Sequence, residues 1–395
     1  MRVLLTATSY PPAIGGAQLH THRVAVELAR RHEVRAIAHW SALRTDWLLG
    51  TTLRAPERPA PYEIDGIPVD LIGLSLAEKA ALAPFVLGYY AFQGAAIRRI
   101  SACLLERLDA LAAHPGVVHN VRIGREPLSF ASLALARRRS VPFVLTPLHH
   151  PRWGSGRHRH YLRLYREADA VIALTHAEKR TLVELGVDEG RIHVAGIGPV
   201  LAPEADAGRF RREHGIEGPM VLFLGQKYRY KNVVELLRAA PLVWKRLPDA
   251  RFVFVGPRTP HSRRVFGQVT DRRVVELPAV GLQEKTDAVA ACDVLCLPSS
   301  QESFGGVFVE AWTLGKPVIG ARIPAVSEVI ADGVDGLLTD PTPPAIAERV
   351  LAILQDVRTA AALGRAGRAK AAERFTWDRI AAVVDGAYAA AVNGR

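Results

Sequence analysis

The feature that most constrains this chain is a recurrence of short, unbroken apolar runs separated by helical stretches. Val3–Thr8, Val34–Ala38, Val117–Asn120, Phe143–Thr146, Val171–Leu174 and Ile192–Val194 are all of this kind. An antiparallel sheet with one wet face would alternate apolar and polar residues. Continuous apolar strands joined by helices imply a parallel sheet covered on both faces. The pattern breaks at Gly196–Pro203 and stays polar to Gly218 and Pro219, and a second series then follows. Its runs are Met220–Leu224, Phe252–Val255, Val274–Leu277, Asp293–Leu297, Val318–Gly320 and Gly336–Leu338, with an alanine-rich helical tail over Pro344–Asn393. A length of 395 residues suits two domains of roughly 150 to 200 residues each. The expected fold is therefore α/β, with two doubly wound Rossmann-like domains. The first spans residues 1–198 and the second 199–375, with a C-terminal helix over 376–395 packing back toward the first. Open parallel sheets bind ligands at the carboxyl ends of their strands, so two such domains facing each other predict one cleft with two half-sites.

Composition excludes several classes. Hydrophobic residues make up 49% and charged residues 23%, which disfavours disorder and fibrous folds. Three cysteines, Cys103, Cys292 and Cys296, provide no even disulfide framework, and Val3–Thr8 is too short for a signal-peptide core, so a cytoplasmic protein is expected. The formal net charge is +12, and residues 1–200 carry 25 Lys+Arg against 17 Asp+Glu. The arginines at 137–139, 152, 157, 159, 163 and 166 are expected to attract phosphates, an anionic lipid surface or nucleic acid, unless they form an ordinary solvated face. Ala80–Ile97 is uncharged over about the length of a membrane helix, but Pro84, Gly88, Gln93 and Gly94 interrupt it. A buried or interfacial helix is the expectation, with peripheral contact on the inner membrane face left open.

Candidate chemistry falls where strands end. After the first strand, Tyr10-Pro11-Pro12-Ala13-Ile14-Gly15-Gly16 opens a helix, and Gly15 and Gly16 would let backbone amides approach an anion. This is not G-x-G-x-x-G, which removes the main support for a nicotinamide site. The strongest local signal is Pro298–Ala311, where Glu302 lies in a glycine loop and Glu310 on the helix that loop opens. Amides of Phe304, Gly305, Gly306 and Val307 stand at the helix start, so phosphate and hydroxyl groups could be held together. Strand Met220–Leu224 leads into Gly225-Gln226-Lys227-Tyr228-Arg229-Tyr230-Lys231-Asn232, a loop with three cations.

The spacing from Glu302 to Glu310 is E-x7-E, and here the chain resembles the retaining GT-B glycosyltransferases, in particular the large family 4 group. The resemblance extends from the Pro-Pro…Gly-Gly loop through Ala168–Thr175 to Val329–Leu338. It implies that Glu302 holds donor-sugar hydroxyls and that Glu310 accepts from the nucleotide ribose. It also implies that Lys231 clamps the diphosphate, and that a histidine of Thr146-Pro147-Leu148-His149-His150-Pro151 lies near the sugar, without saying which of His149 and His150 it is. The chain departs from the family at Gln226, where an arginine is usual, and at Asn232; Lys227 or Arg229 could supply the missing charge.

The implied reaction transfers a sugar from a nucleoside-diphosphate sugar, UDP- or GDP-linked, to an acceptor hydroxyl with retention of configuration. The acceptor is a small molecule, a glycan or a lipid-linked sugar. No cofactor is expected, and metal independence follows from the lack of any Asp-x-Asp. Two rivals stand beside it: a nucleotide-sugar epimerase or hydrolase of similar architecture, and a non-catalytic basic protein that binds lipid or nucleic acid. The second lacks the aromatic-interleaved motifs of single-strand readers, so no nucleic-acid partner is expected.

Overall fold

The computed structural model describes residues 1–40, 52–122, 127–149 and 159–394. The chain divides into two compact units, Met1–Gly196 with Trp377–Arg395, and Ile197–Thr376.

In the first unit, β1 (Arg2–Ser9), β2 (Glu33–Trp40), β3 (Ala60–Ile64), β4 (Ile67–Leu71), β5 (Val117–Val121), β6 (Phe143–Thr146), β7 (Ala170–Ala173) and β8 (Ile192–Val194) form one sheet. The strand order is β3-β4-β2-β1-β5-β6-β7-β8, and every pairing is parallel except β3 with β4. The run of apolar residues in β1 divides between two cores: Leu4 packs on one face with Ile37 and Val118, and Val3 and Leu5 on the other with Val34 and Val117. Covering both faces is what demands unbroken apolar strands.

The hairpin β3–β4 was not among the expected strands. Its turn is Asp65-Gly66, both with positive φ (49° and 75°), the conformation that the Asp-Gly pair favours. Pro61 and Pro68 hide the strand signal; Pro61 is tolerated on the edge strand β3, and Pro68 lies at the start of β4, before the register that β4 shares with β2.

The helix Trp377–Asn393 belongs to this first unit. Ile380, Val384, Ala387 and Tyr388 are buried in the same core as β1 and β2. Arg31 and His32 both pair with Asp385 on its outer side. Each fully buried large side chain contributes about 1.5–3 kcal/mol, so packing rather than the surface ion pairs holds the helix.

The uncharged run at 80–97 is two helices, Leu76–Leu87 and Gln93–Leu111, separated by the turn at Gly88. Ser75 and Glu78 form a reciprocal capping box at the first of them. Among the described residues, no helix is long and apolar enough to cross a membrane.

In the second unit, β9 (Met220–Leu224), β10 (Arg251–Val255), β11 (Val274–Leu277), β12 (Val294–Leu297), β13 (Val318–Ala321) and β14 (Leu337–Thr339) form an all-parallel sheet ordered β11-β10-β9-β12-β13-β14. Every residue of β9, β12, β13 and β14 is buried. The order reverses between β9 and β12, which is the switch point where ligands bind in such sheets.

Candidate functional site

The loops that leave β9 and β12 lie on the two sides of that switch point and are bonded to each other. Asn232 Nδ2 donates to the Pro298 carbonyl at 2.8 Å, and Ser300 N donates to the Tyr230 carbonyl at 2.9 Å. The β9 loop closes in a single 3-10 turn, Arg229–Lys231, followed by Asn232 in the left-handed region (φ 53°). That turn directs Lys231 at Glu302, and the two form an ion pair with 15% and 10% side-chain exposure. The structure therefore brings together two of the expected site residues. An arriving diphosphate would have to share the Lys231 ammonium with Glu302.

The glycine loop then enters the helix Gly306–Thr313. Gly305 takes φ 86°, and a Cβ there would stand 2.4 Å from Phe308 Cε2, so both conformation and space select glycine. The helix start has no side-chain cap, which leaves the first-turn amides of Gly306 and Val307 suited to an anion. Phe304 is buried, its ring edge-on to Phe375 at 5.3 Å, so its side chain anchors the loop.

Glu310 lies on the second turn of this helix and is 7% exposed. Its Oε1 accepts from Lys285 Nζ at 2.8 Å and from Val200 N at 3.4 Å. Its Oε2 is buried and has no hydrogen-bond partner. An ionised oxygen buried without a donor is costly, and such a group usually awaits one.

Lys227 corrects the sequence expectation. Rather than facing the loop's exterior, it is fully buried, and its Nζ donates to the Gly256 carbonyl at 2.8 Å and to the Leu277 carbonyl at 2.5 Å while pairing with Glu276. Burial pulls its pKa below the usual lysine range, against the pull of Glu276. Arg258 also binds Glu276, at 2.6 Å. These cations secure the ends of β10 and β11, so Lys227 cannot replace the arginine missing at Gln226. Gln226 itself is half-buried between Gly225 and Lys227.

In the first unit, Gly15 is buried in an extended conformation and caps the helix Gly16–Leu28 without a side-chain bond. A Cβ on Gly16 would meet nothing within 4 Å, so space beside the turn is open. His149 follows Leu148, which takes φ 47°, at the end of β6. It is buried, its backbone N–H bonds to Glu178 at 2.6 Å, and its Nδ1 is 3.3 Å from the Tyr165 hydroxyl. His150 lies outside the described residues, as do Arg152 and Arg157. Two other buried histidines are core groups: His119 bridges Tyr388 and Thr146, and burial lowers the pKa of His119 to about 3 and that of His20 to about 4.

The arginine run at 137–139 is not the anion-attracting face expected of it. Arg137 pairs with Asp169, Arg138 with Glu106 and Asp109, and Arg139 with Asp109. Lys285 is the residue that sequence reading missed. It lies 25 positions from Glu310 on another helix, and no local motif marks it. Among the described residues, no group of three or more His, Cys, Asp or Glu could hold a metal ion.

Residues 15–198 match the family model described as a glycosyl transferase 4-like domain, and residues 218–356 match glycosyl transferases group 1. The D-inositol 3-phosphate glycosyltransferase of Pseudarthrobacter chlorophenolicus is 34% identical over 244 residues, 58% of this chain. The match likewise spans only 58% of that relative's length. The GDP-mannose-dependent alpha-(1-6)-phosphatidylinositol monomannoside mannosyltransferase of Mycolicibacterium smegmatis is 27% identical over 95% of both chains. Among solved structures, Anabaena HepE in complex with UDP and glucose superposes with a TM-score of 0.75 at 20% identity, over 98% of this chain and 99% of that one. A putative UDP-N-acetylglucosamine 2-epimerase from Listeria monocytogenes also shares the fold, with a TM-score of 0.66 at 14% identity over 98% of this chain and 95% of that one. Architecture alone therefore does not separate transfer from epimerisation.

Proposed function

Because this chain belongs to the group 1 glycosyltransferases of GT-B fold and family 4 type, we propose that it moves a sugar from a UDP- or GDP-linked donor to an acceptor hydroxyl, with retention of configuration and without a metal. The observation that carries this reading is the meeting, at one switch point, of the Lys231–Glu302 pair with a Glu310 carboxylate whose Oε2 is buried and unpartnered. A carboxylate is acceptor-only, so Glu310 suits the two hydroxyls of a ribose and Glu302 those of the sugar. Lys231 and the amides of Gly305, Gly306 and Val307 suit the diphosphate, whose negative charge grows as the sugar departs. Stabilisation that rises toward the transition state is what accelerates the reaction. The family resemblance assigns His149 or His150 to the transferred sugar, and the backbone of the Gly15–Gly16 turn suits anionic substrate groups.

A lipid-linked or glycan acceptor is assigned to the first unit. Leu87, Tyr90 and Phe92 are 74%, 53% and 68% exposed at the turn joining two helices, and Arg98 and Arg99 are exposed just beyond. Apolar tips beside cations suit peripheral contact with an anionic membrane from the cytoplasmic side. The name of the mycobacterial relative, a phosphatidylinositol monomannoside mannosyltransferase, supports this class of acceptor.

The deciding experiment is calorimetric titration with UDP and with GDP of the wild type, Glu310→Ala and Lys231→Ala. Tight binding of one nucleotide, weakened by both substitutions, is the expected outcome. Binding of neither nucleotide to the wild type refutes the donor site.

A further inference from the structure

We infer that Lys285 is a positioning residue that makes Glu310 selective for ribose over deoxyribose, an inference that rests on the ribose assignment proposed above. Lys285 lies in the first turn of the helix Leu282–Ala291. Its ammonium makes two bonds at once, to Glu310 Oε1 at 2.8 Å and to the carbonyl of Val200. Val200 returns a bond of its own, its N–H reaching the same Oε1 at 3.4 Å. The three groups form a closed triangle around one oxygen of the carboxylate.

The next two residues of the helix hold the same backbone segment. Thr286 Oγ1 accepts from Ala202 N at 2.9 Å, and Asp287 Oδ1 accepts from Asp206 N at 2.7 Å. One helical turn thus pins residues 200–206, and through Lys285 it pins Glu310 as well. In that segment Thr286 and Asp287 meet backbone amides, and Asp287 also pairs with Arg209, whereas Lys285 touches the candidate ribose carboxylate.

The consequence follows from counting acceptor sites. An ionised carboxylate offers about four lone-pair directions, two on each oxygen. Lys285 and Val200 occupy those of Oε1, while Oε2 is buried and has no partner. Two directions remain, both on one immobilised oxygen, which matches the two adjacent hydroxyls of a ribose. Without Lys285 only the longer Val200 bond holds Oε1, so the carboxylate can turn and a hydroxyl lost from the ligand is replaced by a reorientation rather than by a missing bond. Lys285 therefore sets selectivity, and not affinity alone.

Titrating UDP, GDP and their 2′-deoxy forms into the wild type, Lys285→Met, Lys285→Arg, Lys285→Gln, Thr286→Val and Glu310→Ala tests this. The wild type is expected to prefer the ribonucleotide by roughly tenfold, the weight of one hydrogen bond to a charged acceptor. Lys285→Met is expected to reduce that preference to about twofold while leaving 2′-deoxy binding nearly unchanged, and Lys285→Arg to restore it. Thr286→Val is expected to lower the melting temperature and leave the preference intact. Lys285→Gln, too short to bridge Val200 and Glu310, gives the same reading should the methionine variant fail to fold. If both Lys285→Met and Lys285→Gln retain the preference while Glu310→Ala loses it, the role of Lys285 is overturned and the ribose assignment stands. If Glu310→Ala retains it, the ribose assignment falls and the inference falls with it.

Discussion

Glu178 offers a quantitative test through pH. The residue follows the Thr175 cap of the helix His176–Glu184 and is buried. Its Oε1 accepts from His149 N at 2.6 Å and its Oε2 from Leu174 N at 2.8 Å, so one side chain joins the ends of β6 and β7. Burial pushes its carboxyl from 4.5 up to about 7, with the two backbone bonds pulling the other way. Because the folded value lies above the unfolded one, the native state holds a proton that the unfolded chain has released. Stability from this group is therefore complete below the unfolded value, falls as pH rises from about 4.5, and has all been lost above about 7. At about 1.4 kcal/mol per pH unit, the loss amounts to about 3 kcal/mol.

Glu178→Gln removes the titration at a fixed cost. A protonated carboxyl can still accept through its hydroxyl oxygen, but an amide NH2 cannot, so one of the two backbone donors is orphaned at about 1–3 kcal/mol. The variant is expected to be less stable than the wild type at pH 5, and the gap should close or reverse by pH 8. Urea unfolding of both proteins in steps across that range gives the difference, in which the other titrating groups cancel. A difference that stays flat with pH refutes the linkage and the buried proton behind it.

Lys231→Ala is expected to lower turnover by roughly 10²–10³-fold, the usual cost of losing one transition-state donor; release of nucleoside diphosphate from the sugar donor reports it, and near-normal release would remove Lys231 from the chemistry. Gly305→Ala must strain a left-handed residue (φ 86°) and displace Phe308, at about 1–3 kcal/mol, and should weaken nucleotide binding along with melting temperature; unchanged values in both would refute the geometry of the loop. In Gly367→Ala the new Cβ would stand 2.0 Å from Trp312 Cδ1, in a site where Trp312 is fully buried and bonded to the Asp335 carbonyl. A loss of about 1–3 kcal/mol is expected. Gly386→Ala, on an exposed helix position with nothing within 4 Å, should instead gain about 0.5–1 kcal/mol, and thermal melts of the pair check both signs.

How much was legible from the sequence divides along the range of the interactions involved. Strand identity is local: unbroken apolar runs such as Met220–Leu224 and Phe143–Thr146 announce strands buried on both faces, and the strands of the second sheet follow that pattern apart from the half-buried edge strand β11, which carries Glu276. The glycine loop between Glu302 and Glu310 is equally local, because the spacing alone places one carboxylate before a helix and one upon it. The β3–β4 hairpin carries a local Asp65-Gly66 turn signal, but Pro61 and Pro68 interrupt the apolar runs on either side of it.

Charge partnership was not legible. Lys227 and Lys231 are four residues apart in one loop and equally basic on paper, yet one is sealed against Glu276, 49 positions away, and the other meets Glu302, 71 positions away. The arginines at 137–139 looked like a free cationic run until Asp169, Glu106 and Asp109 were brought beside them. A cation's role depends on which carboxylate reaches it and on how much water remains, and both are products of chain packing over long separations. Local pattern therefore determined the two sheets and the loops that carry chemistry, whereas tertiary structure decided which charges in those loops are left to meet a ligand.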